Sequence, residues 1–195
     1  MKLYLTRHGE TQENKLGILQ GHMPGKLSRE GVEQAKALGQ RLQNEHFDYI
    51  YASDLGRVVA TAAEVTCFHP DTPVIFTKEL RERDFGELTG KSRHDLKVES
   101  GLDVESEHGE SKSAYFTRAK SVLDSVLKKH PKDSVLLICH GGIGQAILAQ
   151  IYGKDYAGML KMEKLGNTSL SIFEINPDGN YQELCYNSTD HLRNS

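Results

Sequence analysis

Leu3–Asn14 reads LYLTRHGETQEN, and the way this stretch begins and breaks decides the fold. Lys2 to Thr6, rich in Leu, Tyr and Thr, has the composition of a buried strand, and the chain breaks at Gly9 directly after Arg7 and His8. A basic pair therefore stands at a strand's carboxyl end. In open α/β sheets ligands bind along that edge, because the turns into the following helices leave a crevice there. The tripeptide RHG is by itself a weak signal, so its meaning depends on partners elsewhere in the chain.

Outward from this stretch, a polar loop punctuated by Gly17, Gly21 and Gly25 runs from Glu10 to Lys26 and reads as surface or pocket lining. Ser28 then caps a helix whose apolar positions Val32, Ala35, Leu38 and Leu42 recur at helical spacing. Tyr49–Ala52 forms a second strand. Ser53 or Asp54 is expected to cap the next helix, with Leu55, Val58, Val59, Ala62 and Thr66 inward and Arg57 and Thr61 on another face. Val74–Phe76 is a third strand, followed by the charged passage LRERDFGELTG, which has neither helical nor strand period. Between Asp95 and Glu110 six acids stand against one lysine, so a mobile flap or cap is expected over about 83–110.

A long amphipathic helix with Phe116, Ala119, Val122, Leu123, Val126 and Leu127 inward ends in Lys128, Lys129 and His130 and is stopped by Pro131. Val135–Cys139 is the most apolar strand, hence central and parallel. His140, Gly141 and Gly142 follow it, repeating the strand, His, Gly order of the opening, and a helix runs on to Tyr152. Ser169–Ile175 and Tyr181–Tyr186, joined by NPDG, read as an edge hairpin. Together these elements predict a single α/β domain over residues 1–195, a three-layer αβα sandwich with a mainly parallel sheet.

Bulk composition narrows the function. A net charge of −3 with interspersed signs provides no basic field for nucleic acid or anionic lipid, and no apolar run approaches membrane-spanning length. Neither partner is expected. Cys67, Cys139 and Cys185 are few, widely spaced and outside any CxxC pattern, which suits reduced thiols in a soluble cytoplasmic protein and gives no zinc site. The sequence sets no oligomeric state, since it holds no coiled-coil heptad or interface stripe.

Four groups lie just beyond four strands: Arg7 with His8, Arg57 early in its helix, Glu82 after the third strand, and His140. A doubly wound sheet brings such strand ends to one rim. Guanidinium forks match the oxygens of a phosphate dianion, and the amides of Gly141 and Gly142 at a helix start add donors, so such a pocket calls for neither metal nor cofactor.

The motifs LTRHGETQEN, Gln20-Gly21, SDLGRVVATA, LRERDFGELTG, Gly109–Ser111 and CHGG, in this order, resemble the histidine phosphatase superfamily, which includes phosphoglycerate mutases and many small phosphatases. That resemblance implies a phosphoglycerate mutase-like fold, with His8 the nucleophile, Arg7, Arg57 and His140 the phosphate clamp and Glu82 the proton donor. It further places Asn14, Gln20 and Gly21 at the phosphate or substrate. Glu79, Asp84 and Glu87 lie close to Glu82, which is chosen because it matches LxE before FG. The implied activity is hydrolysis of a small phosphorylated metabolite through a phosphohistidine. Mutase activity is the alternative, disfavoured because the chain lacks room for the insertion that mutases carry. A non-catalytic phosphate or phosphopeptide binding module is the alternative from another class. The acidic 95–110 stretch is expected to repel highly anionic substrates if it closes over the pocket.

Overall fold

The computed structural model describes residues 1–193. Its strands are β1 (Lys2–Arg7), β2 (Tyr49–Ser53), β3 (Val74–Thr77), β4 (Ser134–Cys139), β5 (Leu170–Ile175) and β6 (Tyr181–Ser188). The helices are α1 (Gln12–Lys15), α2 (Arg29–Leu42), α3 (Gly56–Thr66), α4 (Lys112–Lys129), α5 (Gly141–Ile151) and α6 (Tyr156–Leu160). One sheet of order β3-β2-β4-β1-β5-β6 carries them, with β3, β2, β4 and β1 parallel and β5 antiparallel to both β1 and β6.

Strand alternation divides the core into two layers. Leu3, Leu5, Val135, Leu137 and Phe173 face α4, α5 and α6, where they meet Ala119, Leu123, Ile147 and Met159. Tyr4, Ile50, Ala52, Leu136, Ile138 and Ile172 face the other way and meet Leu38, Leu42, Val58, Ala62 and Val65 of α2 and α3. The result is the αβα sandwich that the periodicities predict. β4 is buried on both faces between β2 and β1, as its unbroken apolar run requires.

Several local expectations need correction. The side chain of neither Ser53 nor Asp54 caps α3: the N-cap is Leu55, which makes no side-chain cap bond, and the Ser53 hydroxyl serves His140 instead. The inward face of α3 is Arg57, Val58, Thr61, Ala62 and Val65, whereas Val59 is 38% exposed. Arg57 and Thr61 thus share the buried face. The loop after β1 is less superficial than its polarity implies: Thr11 and Asn14 build a capping box around α1, and Leu19, Gln20 and Gly21 are buried. Leu102 of the acidic stretch joins the core beside Tyr115, so part of that stretch is core. Arg83 anchors it by donating to the carbonyls of Glu110 at 2.8 Å and Val104 at 2.7 Å.

Candidate active site

Parallel pairing of β1 with β4 sets Arg7 beside Cys139, so His8 and His140 leave the sheet side by side, with His8 N–H donating to the Cys139 carbonyl at 3.0 Å. Their rings lie 5.2 Å apart, edge to face. β2, the other neighbour of β4, ends at Ser53, and α3 then brings Arg57 over the same rim. The rim opens into a cavity of about 320 Å³ lined by Arg7, His8, Asn14, Gln20, Gly21, Arg57, Glu82 and Gly141. His140 is not part of the lining but is buried directly behind it, against His8 and Arg57. Every residue proposed from the sequence therefore converges on one place.

The hydrogen bonds settle the state of each histidine. His8 Nδ1 lies 2.7 Å from the Gly9 carbonyl, so that nitrogen carries the hydrogen and Nε2 keeps the lone pair. Burial, reinforced by the Arg57 and Arg7 charges, pushes this imidazole well below the ordinary histidine range. It is neutral at neutral pH, with the Nε2 lone pair unprotonated. His140 accepts from Arg57 Nε on Nδ1 at 3.1 Å and therefore donates from Nε2 to the Ser53 hydroxyl at 2.8 Å. Burial and the same guanidinium keep it neutral too. With both nitrogens engaged, His140 acts on Arg57 in this arrangement and has no ring nitrogen turned to the cavity.

Arg57 also donates to the carbonyls of Met23 at 2.6 Å and Gly21 at 2.9 Å, which leaves two of its five N–H groups for a ligand. Gly21, with φ of +48°, thereby contributes by holding the guanidinium. Burial lowers Arg57 to about 10, still protonated at neutral pH. Arg7 donates from Nη1 to the Leu165 carbonyl at 2.6 Å, while its Nε is buried with no partner among the described residues. Buried donors left in this condition cost stability unless an anion takes them. The Gln20 Oε1 is likewise buried without a partner. Asn14 is held through its Oδ1 by Thr11 N–H at 3.1 Å and Asn167 Nδ2 at 3.3 Å. A Cβ on Gly141 would lie 3.2 Å from Arg7 Nε, so this glycine lets the guanidinium close on the start of α5.

Glu82 faces this cradle from a turn after β3. Its Oε1 accepts from Arg83 N–H at 2.9 Å and from the Tyr115 hydroxyl at 2.8 Å, and its Oε2 accepts from Gly142 N–H at 2.9 Å. The Gly142 amide, expected from sequence to face phosphate, is thus given to Glu82. Arg118, paired with Glu110 at 2.8 Å, donates to the carbonyls of Glu79 and Arg81 at 2.6 and 2.9 Å and fixes the turn that carries Glu82.

Sequence reading missed four supporting groups. Ser53 reads as a cap and Thr61 only as sharing a face with Arg57, while Tyr115 and Asn167 are not singled out at all, Asn167 lying in a stretch with no period. Thr61 in fact accepts from Gly9 N–H at 3.0 Å, and Asn167 donates to the His8 carbonyl at 3.0 Å. Only Thr61 carried a usable signal, since a polar residue four positions after Arg57 shares its helical face. Among the described residues no group of three or more His, Cys, Asp or Glu side chains is arranged to hold a metal ion, and no helix is long and apolar enough to cross a membrane.

Comparison with known proteins agrees with this geometry. Residues 3–188 match the family model described as histidine phosphatase superfamily, branch 1. The chain is 33% identical to phosphoserine phosphatase 1 of Hydrogenobacter thermophilus, over 98% of this chain and 94% of that protein. It is 27% identical to a phosphoglycerate mutase of Schizosaccharomyces pombe, over 92% of each. A solved phosphoserine phosphatase mutant from Entamoeba histolytica, in complex with phosphoserine, superposes with a TM-score of 0.84 at 26% identity, over 98% of both chains. With its motifs in family order, its two histidines on one rim and a family match along nearly its whole length, this chain belongs to the histidine phosphatase superfamily, branch 1.

Proposed function

We propose that this protein hydrolyses small phosphate monoesters through transient phosphorylation of His8. The observation that carries the reading is a neutral imidazole, its Nδ1 tied to Gly9, beside two buried guanidiniums that retain unused donors. In the first step His8 Nε2 attacks phosphorus, the P–O ester bond breaks, and the departing alkoxide takes a proton from Glu82. Arg7 and Arg57 hold the charge that spreads over the equatorial oxygens. In the second step the Glu82 carboxylate takes a proton from water as its oxygen attacks phosphorus, the N–P bond breaks, and phosphate leaves. Glu82 must enter the cycle protonated. The Tyr115 hydroxyl accommodates this, because a hydroxyl can accept from the protonated carboxyl as readily as it donates to the carboxylate. His140 is a positioning residue in this scheme, orienting Arg57 through their shared bond.

The similarity to enzymes named phosphatases supports hydrolysis, while the mutase relative marks the competing outcome. Glu82→Gln tests the assignment. On an alkyl phosphate, whose leaving group needs a proton, kcat falls by roughly 10²–10⁴-fold, whereas on p-nitrophenyl phosphate, whose leaving group does not, the fall in phosphoenzyme formation is much smaller. Equal losses on both esters overturn the role given to Glu82. Primer-dependent isomerisation of a phosphoglycerate that outpaces phosphate release overturns hydrolysis.

A further inference from the structure

His22 has no part in the chemistry just described, but it stands between two groups that carry it. Arg57 donates to the Gly21 carbonyl at 2.9 Å and to the Met23 carbonyl at 2.6 Å, so the clamp grips the chain on either side of His22. From there the imidazole reaches across to the turn of the acid, its Nε2 lying 3.0 Å from the backbone carbonyl of Glu82. A carbonyl only accepts, so Nε2 carries the hydrogen in this contact whether the ring is neutral or charged. Nδ1 faces the Asp84 carboxylate at 3.8 Å, and Asp84 is held in turn by Gly86 N–H at 2.9 Å. The ring itself lines a separate polar recess with Asp84, Glu110 and Arg118 and is not part of the phosphate cavity.

The other bonds to Glu82 come from elsewhere. Its carboxylate is met by Arg83 N–H, by Tyr115 of α4 and by Gly142 of α5, and Arg118 of α4 approaches its carbonyl at 3.4 Å. Among the described residues, only the His22 side chain joins residues 20–23 to the turn at 81–84 by a hydrogen bond. Transfer from an ester with a poor leaving group needs the clamp and the acid in one frame. A carboxyl that slips relative to the bridging oxygen loses proton transfer first, while in-line attack on a phosphate still held by arginine survives. We propose that His22 is a positioning residue for the proton donor: it fixes the Glu82 backbone to the loop that Arg57 grips, so that phosphate and acid keep a constant separation. This inference rests on the phosphatase reading and goes beyond it.

Two variants of the full chain test it. His22→Phe keeps a ring and removes the donor, and His22→Gln restores an N–H near the reach of Nε2. The rate of phosphoenzyme formation is read by rapid quench on glycerol 3-phosphate, whose leaving alkoxide needs a proton, and on p-nitrophenyl phosphate, whose leaving group does not. His22→Phe is expected to lose about tenfold on the alkyl ester, the order of one hydrogen bond, and no more than about twofold on the aryl ester, which thereby reports any general damage to the fold. His22→Gln returns the alkyl ester to within about threefold of wild type. In a Glu82→Gln background His22→Phe costs less than about twofold more, because no proton donor is left to place. No loss in His22→Phe, equal losses on the two esters, full additivity with Glu82→Gln, or a His22→Gln no better than His22→Phe overturns the positioning role and leaves the phosphatase reading standing. Absence of any phosphoenzyme in the wild type overturns both.

Discussion

His8 works because its neighbours leave it one thing to do. Gly9 supplies both constraints: its carbonyl takes the Nδ1 hydrogen, and its own N–H is held by Thr61, which in turn donates to the Arg57 carbonyl at 2.8 Å. The loop carrying the nucleophile is thereby pinned to the helix carrying the clamp. Thr61→Val keeps the shape and removes the acceptor, so a buried amide is left without a partner and the protein loses about 1–3 kcal/mol of stability. A urea midpoint read alongside kcat checks this, since both should fall; an unchanged midpoint contradicts the pinning. At this scale the sequence was most readable where a charged or imidazole side chain stood beyond a strand, as with His8, Arg7 and His140. It was least readable where a hydroxyl did the work. Ser53 has an ordinary reason to sit near a helix start, and nothing local announces that its oxygen points at a histidine; the spacing of Thr61 to Arg57 marks a shared face but not the Gly9 amide that Thr61 holds.

Among the elements, α5 governs the geometry of the acid. Its first turn must pass so close to the turn carrying Glu82 that a Cβ on Gly142 would lie 2.5 Å from Glu82 Oε1 and 2.7 Å from the Tyr115 hydroxyl. Leu102 Cδ2 would lie at 2.9 Å and the Tyr115 ring is wholly buried, so only the Glu82 carboxyl can swing clear, and Gly142→Ala lowers thermal stability. The displaced carboxyl also lowers kcat at least tenfold. Unchanged kcat in a folded variant contradicts the placement of Glu82. The helices and strands themselves follow from periodicity: β4 is central because it is apolar throughout, and α2 and α4 start at Ser28 and Ser111, whose hydroxyls accept from Gly31 and Ala114 N–H. α3 departs from its pattern because its inward face also builds the site. Arg57 and Thr61 take buried positions there, and a count of apolar residues alone assigns that face to Val59 and Thr66 instead.

Across the whole molecule, burying two neutral imidazoles ties folding to pH. His8 and His140 both titrate well below the ordinary histidine value because burial and the nearby guanidiniums disfavour the imidazolium. Above about pH 6.5 they are neutral in both the folded and unfolded chain and cost nothing. Below it the unfolded chain binds protons that the folded chain refuses, so stability falls as pH falls, by up to about 1.4 kcal/mol per pH unit for each of the two. His69, also lowered by burial, adds in the same direction. Denaturant midpoints taken from pH 7 to pH 5 should drop, and His140→Gln should flatten the slope; a wild-type midpoint constant over that range contradicts the neutral burial of these rings. The topology that creates this liability was legible as a parallel sheet gathering four strand ends. The residues that line the cavity from outside the sheet, such as Arg93 and Lys164, were not, since they lie in aperiodic segments whose path only tertiary packing sets.

The central claim is that phosphate passes through a covalent bond to the ring at position 8. Mixing the protein with a ³²P-labelled phosphomonoester, quenching in alkali within the first turnover and mapping the label tests it most directly. The account predicts label on His8 that is stable to base, lost in acid and absent from His8→Ala together with phosphate release. Label that persists in His8→Ala, or wild-type turnover with no trapped label under any quench time, contradicts it.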